Sequence, residues 1–538
     1  MKRQKELERI CQALENIKEK KPGTFHEAMQ LFWLFALLAG VINYGRLDDY
    51  LGPYLVADLK SGRLTDEEAY RYIHSLWTMI ENRRTTVNGR IIVGGKGRKH
   101  PKEADVFLHI AMKVAKNCRY VEPQFTLRFD KETSEEIWDE ALDALGAGAT
   151  YPTLYNDDVN VPAVMYGMRV DEKTAEQYVP FGCTEFVIQG QSTGTPNICI
   201  NLLKLLTIYM NDGIDPIDGK RKSGPVSLKK LEEYQTFEEF YDGYKALLDY
   251  YLDLSVKAQY HSYEVMNQHV SFLFTSLLTD DCIARGKALL DGGVRYLGGT
   301  NETYGNINTS DSLWVIRDLV FNQKKYTLRQ LNDAMLANFN GYEALRKDCL
   351  NCDKYGNDLE TADTMANDLY EFVAKGVRNR GIAIGMQYFL IVISNNQLNT
   401  EWGNRTAASP DGRLSCMYMN PANNPQGGAN KSGPTAMLNS LAKFDAKYHG
   451  GSVQNIKFSP SMFNENRAVI KSLFKTYFAK GGCHLMVTVV DKGVLEDAVE
   501  HPENYPDLIV RVSGFSAVFV DLSPNIQQEL LSRVLYDK

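Results

Sequence analysis

The chain reads as an α/β protein. Short apolar, strand-like runs at 90–93, 125–129, 456–458 and 485–490 alternate with longer stretches of helical period, the pattern of helices packed over buried strands. No internal repeat or low-complexity linker interrupts that alternation, and 538 residues suffice for one very large α/β unit or several smaller ones.

Composition narrows the function classes. The chain is 44% hydrophobic and 24% charged, with a net charge of −7. Weak acidity argues against nucleic acid as a main partner. Nine scattered cysteines, an odd number with no signal peptide ahead of them, indicate a reducing cytoplasm and not a disulfide framework. Cys349 and Cys352 form a lone C-x-x-C beside a polar stretch, with no second pair nearby to make a metal or redox site. The nine histidines form no H-x-x-H or H-E-x-x-H pattern, so no metal is expected. The longest apolar run, 31–42, falls short of the roughly 18 residues that span a bilayer; it reads as a buried helix, and no membrane contact is expected.

Residues 1–21 place Leu7, Ile10, Cys11, Leu14 and Ile17 on one helical face, with lysine and glutamate elsewhere. Pro22-Gly23 ends that helix. Thr24 is a fitting N-cap for the next, and Glu27, three residues on, completes a capping-box pattern. Further along, 404–433 is polar and rich in glycine and proline, which makes it the best boundary; the expected division is 1–403 and 404–538, although a long loop within one domain fits the same composition.

Near the C-terminus, Arg511-Val512-Ser513-Gly514-Phe515-Ser516-Ala517-Val518-Phe519 puts one glycine inside an apolar, strand-like run. Glycine there costs conformational entropy and packs nothing, so a bulge, a close backbone approach or a chemical role must explain it. Arg511 to Ala517 resembles the signature of the glycyl radical enzymes, the superfamily of pyruvate formate-lyase and the glycerol, diol and choline-type lyases. Loss of one Cα hydrogen leaves an electron delocalised over the flanking amides, provided no side chain crowds the planar centre. The resemblance implies a radical stored at Gly514.

A stored radical needs a relay, and the thiol S–H bond is close enough in strength to a peptide Cα–H for hydrogen to move either way. Val179-Pro180-Phe181-Gly182-Cys183-Thr184-Glu185 leads into the glycine-bearing stretch Gly190 to Asn197. Alone, Cys183 reads equally as a small buried hydrophobe. Cys183-Thr184-Glu185, however, resembles the Gly-Cys-x-Glu loop of the family's eliminating branch, where the thiyl radical takes a substrate hydrogen and the carboxylate acts as base. Leu154 to Ala163 resembles the segment that leads into that loop. Glu185 serves best with its pKa raised toward neutrality by burial.

The resemblance runs from Thr24 to the C-terminus. It implies a barrel of two parallel half-sheets arranged antiparallel, surrounded by helices, with the front of the usual chain missing, so that the reading frame is truncated or a second chain supplies the rest. It further implies homodimers, anaerobic metabolism, no bound cofactor, and an iron–sulfur activating enzyme that installs the radical with S-adenosylmethionine. The expected activity is that of a dehydratase or eliminase on a small polar substrate. Decarboxylation by the same Cys-x-Glu pair is an alternative. Formate C-acetyltransferase chemistry ranks low because it resembles a two-cysteine mechanism, whereas Gly182 stands beside Cys183. A split, non-self-sufficient fragment is a further alternative.

In the glycerol and diol dehydratases the cysteine loop ends in a His-Asp pair whose aspartate binds substrate; the matching positions are Pro196 and Asn197. Phe186 also replaces the proline usual after the glutamate. Loss of that charge argues against glycerol, propane-1,2-diol and choline, and leaves an arylacetate or a hydroxyproline-like ring open. Arg46, Asp48 and Asp49 lie in another family-like stretch, where Arg46 and Asp49 are further substrate-binding candidates beside the alternative of a buried structural ion pair.

Overall fold

In the computed structural model, which describes every residue except 1, 42, 85–88, 195, 196, 395, 396 and 538, the strands build two large sheets and two hairpins. In chain order, β1 (Gly45–Arg46), β2 (Arg90–Gly94), β3 (Gln124–Phe129) and β4 (Thr153–Asn156) run parallel. β5 (Tyr178–Phe181) and β6 (Glu185–Ile188) form an antiparallel hairpin. β7 (Asn197–Asn201), β8 (Gly298–Tyr304), β9 (Tyr388–Ile393) and β10 (His449–Ser452) make a parallel four-stranded sheet. β11 (Asn455–Phe458) and β12 (His484–Val489) are parallel to each other, β13 (Ile509–Arg511) and β14 (Ser516–Val518) form the second hairpin, and β15 (Leu535–Tyr536) joins β11. β12 pairs antiparallel with β4, so parallel sets of four and three strands become one seven-stranded sheet. Parallel sets opposed to one another are thus present, and the spans 1–403 and 404–538 both contribute strands to that sheet.

The alternation of β3 explains what the sheet does. Phe125, Leu127 and Phe129 pack into the same apolar core as the helices Asp66–Arg83 and Pro101–Asn117. Gln124, Thr126 and Arg128 point the other way, yet they too are fully buried. Side chains alternate across a strand, so the sheet has one apolar face under helices and one polar face that must find partners inside the protein. Those partners are neighbouring side chains of the same face, Asp157 and the two hairpins.

Other elements show where local signals held. Thr24 caps the helix Phe25–Leu38 by accepting from Glu27 N; the Glu27 carboxylate accepts from Gly23 N and Asn16 Nδ2, so the capping box is displaced by one residue. That helix is not buried as its composition suggests: Phe25, Ala28, Met29 and Ala36 pack inward, while Leu31, Leu34, Phe35, Leu37 and Leu38 face outward. Ile42, the end of that run, lies outside the described residues. Leu7, Ile10 and Leu14 of the first helix, Lys2–Glu19, are exposed as well. No described helix is long and apolar enough to cross a membrane. The stretch 404–433 is threaded through the interior: buried Arg413 donates to the carbonyls of Gly403, Thr406 and Ala407, and Asp411 accepts from Asn308 Nδ2.

Candidate active site

The two hairpins meet tip to tip. In the first, Phe181 pairs with Glu185 and the chain reverses through Gly182-Cys183-Thr184. Gly182 has φ +52°, and Thr184 takes φ +146°, a strained value for a β-branched residue. In the second, Arg511 pairs with Ser516, and the tip closes with Val512 N and Ser513 N donating to Phe515 O. Gly514 therefore sits at a hairpin tip, not inside a strand as the apolar run suggests. Four residues between the paired Arg511 and Ser516 are enough to turn the chain.

Gly514 does not adopt a left-handed φ, so backbone conformation does not demand glycine there. Space does. A methyl group on its Cα would stand 2.5 Å from Cys183 Cβ, 2.6 Å from Cys183 Cα and 2.8 Å from Cys183 Sγ. Gly514 thus lies against Cys183 with no room for a side chain between them, and both tips are buried.

The polar face of the sheet holds both tips. Arg90 Nη2 donates to Gly182 O at 2.9 Å and to Gln124 Oε1 at 3.1 Å. Arg511 donates to the same Gln124 Oε1 at 3.3 Å and to Ser516 Oγ at 3.3 Å. Upstream, Arg128 and Asp157 form a fully buried pair at 2.8 Å; Arg128 Nη1 also donates to Tyr178 O at 2.7 Å, which fixes the start of the cysteine hairpin. Asn156 and Asn160, from the same family-like segment, donate to the carbonyls of Phe478, Gly482 and Cys483 and clamp the segment to the approach of β12.

Electrostatics set the protonation states. Burial, with the Glu185 and Glu302 charges adding to it, pushes the Cys183 thiol well above its ordinary range, so it stays protonated. A neutral S–H is what hydrogen-atom transfer uses. Glu185 is raised to about 7, first by burial and then by Glu302. Its Oε2 accepts from Thr184 N at 2.9 Å and its Oε1 from Asn197 Nδ2 at 2.9 Å.

Asn197 is committed to carboxylates. The same Nδ2 donates to Glu302 Oε1 at 2.8 Å, and Thr300 Oγ1 donates to Asn197 Oδ1 at 2.5 Å. Glu302 was not visible as a site residue in the sequence; it follows from the register Asn197↔Thr300 between β7 and β8, which turns Thr300, Glu302 and Tyr304 to the Asn197 side. The carboxyl group missing at position 197 is thus present in space, on Glu302. Pro196 lies outside the described residues. Arg46 donates to the carbonyls of Gly94, Lys96 and Glu176, and Asp49 accepts from Lys99 N and His100 N; these bonds tie them to the 94–100 loop and to the chain at Glu176, and none of them is to Cys183, Glu185 or Asn197. His109, Glu136 and Glu140, which lie close enough together to share an ion, belong to surface helices and not to this constellation.

Residues 1–398 match the family described as Pyruvate formate lyase-like, and residues 419–520 match Glycine radical. Among curated proteins, the trans-4-hydroxy-L-proline dehydratase of Clostridioides difficile is 28% identical over 99% of this chain and 70% of its own, and the (2S)-3-sulfopropanediol dehydratase of Klebsiella oxytoca is 28% identical over 99% and 67%. Among solved structures, the B12-independent glycerol dehydratase of Clostridium butyricum superposes with a TM-score of 0.91 at 27% identity, covering 100% of this chain and 70% of that one. This chain spans about 70% of the length of these relatives.

Proposed function

The chain belongs to the pyruvate formate lyase-like family of glycyl radical enzymes, and from that premise we propose a dehydratase-type lyase in which Gly514 stores the radical, Cys183 hands it to a small polar substrate and Glu185 moves a proton. The observation that carries the reading is the contact of Gly514 with Cys183 inside a buried space that also holds Glu185.

The steps balance with these groups alone. The Gly514 radical takes the hydrogen atom of the Cys183 thiol, and the resulting thiyl takes one from a substrate carbon bearing a hydroxyl. The hydroxyl of that radical is far more acidic than its parent, and Glu185 accepts its proton. The neighbouring hydroxyl departs with its electron pair and takes the proton from Glu185, so that it leaves as water and the carboxylate is restored. The product radical then recovers a hydrogen atom from Cys183, and the thiyl recovers one from Gly514. Burial keeps bulk water from the intermediates and limits the access of oxygen, which destroys carbon radicals. The dehydratase activities of the relatives support elimination, and the glycine beside Cys183 speaks against acyl transfer.

The same reading includes a separate activating enzyme that uses S-adenosylmethionine, a homodimeric assembly and a cytoplasmic, anaerobic setting. Its test is an anaerobic electron paramagnetic resonance spectrum after treatment with such an activating enzyme. A doublet from the remaining α-hydrogen is expected in the parent and not in Gly514→Ala. A silent spectrum from folded protein would end the claim that this chain holds a radical by itself.

A further inference from the structure

Glu185 and Glu302 are both buried, at 3% and 5% exposure, and one amide nitrogen lies within 2.9 Å of each. Three donors converge on Glu302: Asn197 Nδ2, Tyr304 Oη at 2.5 Å and Ser394 Oγ at 2.9 Å. All three donate, so the Glu302 carboxyl is held as an acceptor with its position fixed. Among the described residues, no lysine, arginine or histidine makes an ion pair with either acid; Arg90 and Arg511, the nearest cations in the two tips, are engaged by Gly182 O, Gln124 and Ser516. Two buried carboxyl groups that share one amide and have no cationic side chain between them make a place that a cation fits.

Two further observations point to a ligand and not to a structural pair. The Tyr155 hydroxyl, on a residue only 1% exposed and within the field of Glu185, has no hydrogen-bond partner. On the other side Asn197 and Cys199 are only part-buried, so β7 is the less covered side of the acid pair. There Tyr304 and Trp402 pack edge to face with centroids 5.2 Å apart, an aromatic surface suited to a cation.

We propose that Glu302 makes this an ammonium-binding site, so that the substrate is a small hydroxylated amine whose cationic nitrogen lies against Glu302 and Glu185 while its hydroxyl-bearing carbon faces Cys183. The inference rests on the reading of Cys183 as the hydrogen-abstracting thiol. It also gives Asn197 a positioning role: its amide holds the two acids together instead of binding substrate. An arriving cation offsets the Glu302 charge that, after burial, holds the proton on Glu185, and so favours the form of Glu185 that accepts one.

Calorimetric titration of the full, unactivated chain with two matched pairs, ethanolamine against ethylene glycol and 1-aminopropan-2-ol against propane-1,2-diol, tests this directly. In the parent at least one amine is expected to bind about tenfold or more tightly than its diol, the equivalent of one charge-assisted hydrogen bond. Glu302→Gln should bring that ratio to within about twofold, and Glu302→Asp, which keeps the charge, should retain the preference at lower affinity. Thermal melts report whether each variant is folded, and the Asp variant carries the test if the Gln variant is not. Equal affinities, no saturable binding of either amine, or a preference that survives in Glu302→Gln would overturn the proposal. Binding needs no radical, so an amine preference with a silent resonance spectrum removes only the lyase reading, and a doublet without the preference removes only this one.

Discussion

Arg90 and Arg511 donate to one oxygen, Gln124 Oε1, at 3.1 and 3.3 Å. Arg90 also carries the carbonyl of Gly182, and Arg511 is the first residue of the glycine turn, so a single side chain on β3 sets the spacing of the two tips. Gln124→Ala would leave two buried guanidinium groups short of an acceptor, at a cost of about 2–4 kcal/mol. Chemical denaturation is expected to show that loss, and amide exchange at 511–516 to speed up. Gln124→Glu keeps an acceptor and should preserve both. Unchanged exchange in the Ala variant would mean that the tips are held by other contacts.

The turn sequences were legible because each is local. Gly182-Cys183-Thr184-Glu185 and the stretch around Gly514 carry their chemistry within a few adjacent residues, and no long-range packing is needed to read them. Glu302 and Gln124 were not legible, because their parts in the site depend on contacts 105 and 387 residues apart in the chain. Asn197 shows the intermediate case: its position was readable, but the commitment of its amide to two acids depends on strand register. Helix 25–38 failed differently. Hydropathy marked it as apolar, yet hydropathy does not say which apolar residues find partners, and Leu38 is 79% exposed.

Glu185 ties stability to pH. Folding raises its pKa from 4.5 to about 7, so the folded chain keeps a proton that the unfolded chain releases at lower pH. Its contribution is whole below the unfolded value and is lost as pH rises through the folded one, by about 3 kcal/mol at most. Denaturation of the parent relative to Glu185→Gln should therefore show the parent losing ground between about pH 4.5 and 7. Cys183 and Tyr155, the other buried titratable groups that feel Glu185, are raised and stay protonated across that window. Because the Glu302 charge adds to burial, Glu302→Gln should move the window to lower pH. A parent-to-variant difference flat across the window would remove the assignment.

Asp157 anchors the cysteine hairpin. It accepts from Arg128 Nε and Nη2 at 2.9 and 2.8 Å, from Tyr178 Oη at 2.8 Å and from Lys96 N at 2.7 Å, with no exposure of either charged side chain. Asp157→Asn leaves the Arg128 charge buried without its partner and is expected to cost about 3–5 kcal/mol. Urea denaturation measures it. A loss below about 1 kcal/mol would mean that the site tolerates an unpaired guanidinium, contrary to the geometry.

Gly182 offers a way to separate radical storage from proton transfer. A methyl group there would lie 2.8 Å from Glu185 Oε2 and 3.2 Å from Oε1, against the free end of a side chain that can swing away. At Gly514 the same group meets the Cα of Cys183, which cannot. Gly182→Ala should therefore fold, with a loss of about 1–2 kcal/mol for a side chain at positive φ. It should form the radical doublet in parental yield, because the contact of Gly514 with Cys183 does not involve the carboxylate. Turnover should nonetheless fall by about 10²–10⁴, the usual contribution of a positioned base. Resonance yield and turnover measured on one preparation decide the matter. Parental turnover would mean that Glu185 is not the proton acceptor, and a lost doublet would mean that Gly182 shapes the radical relay itself.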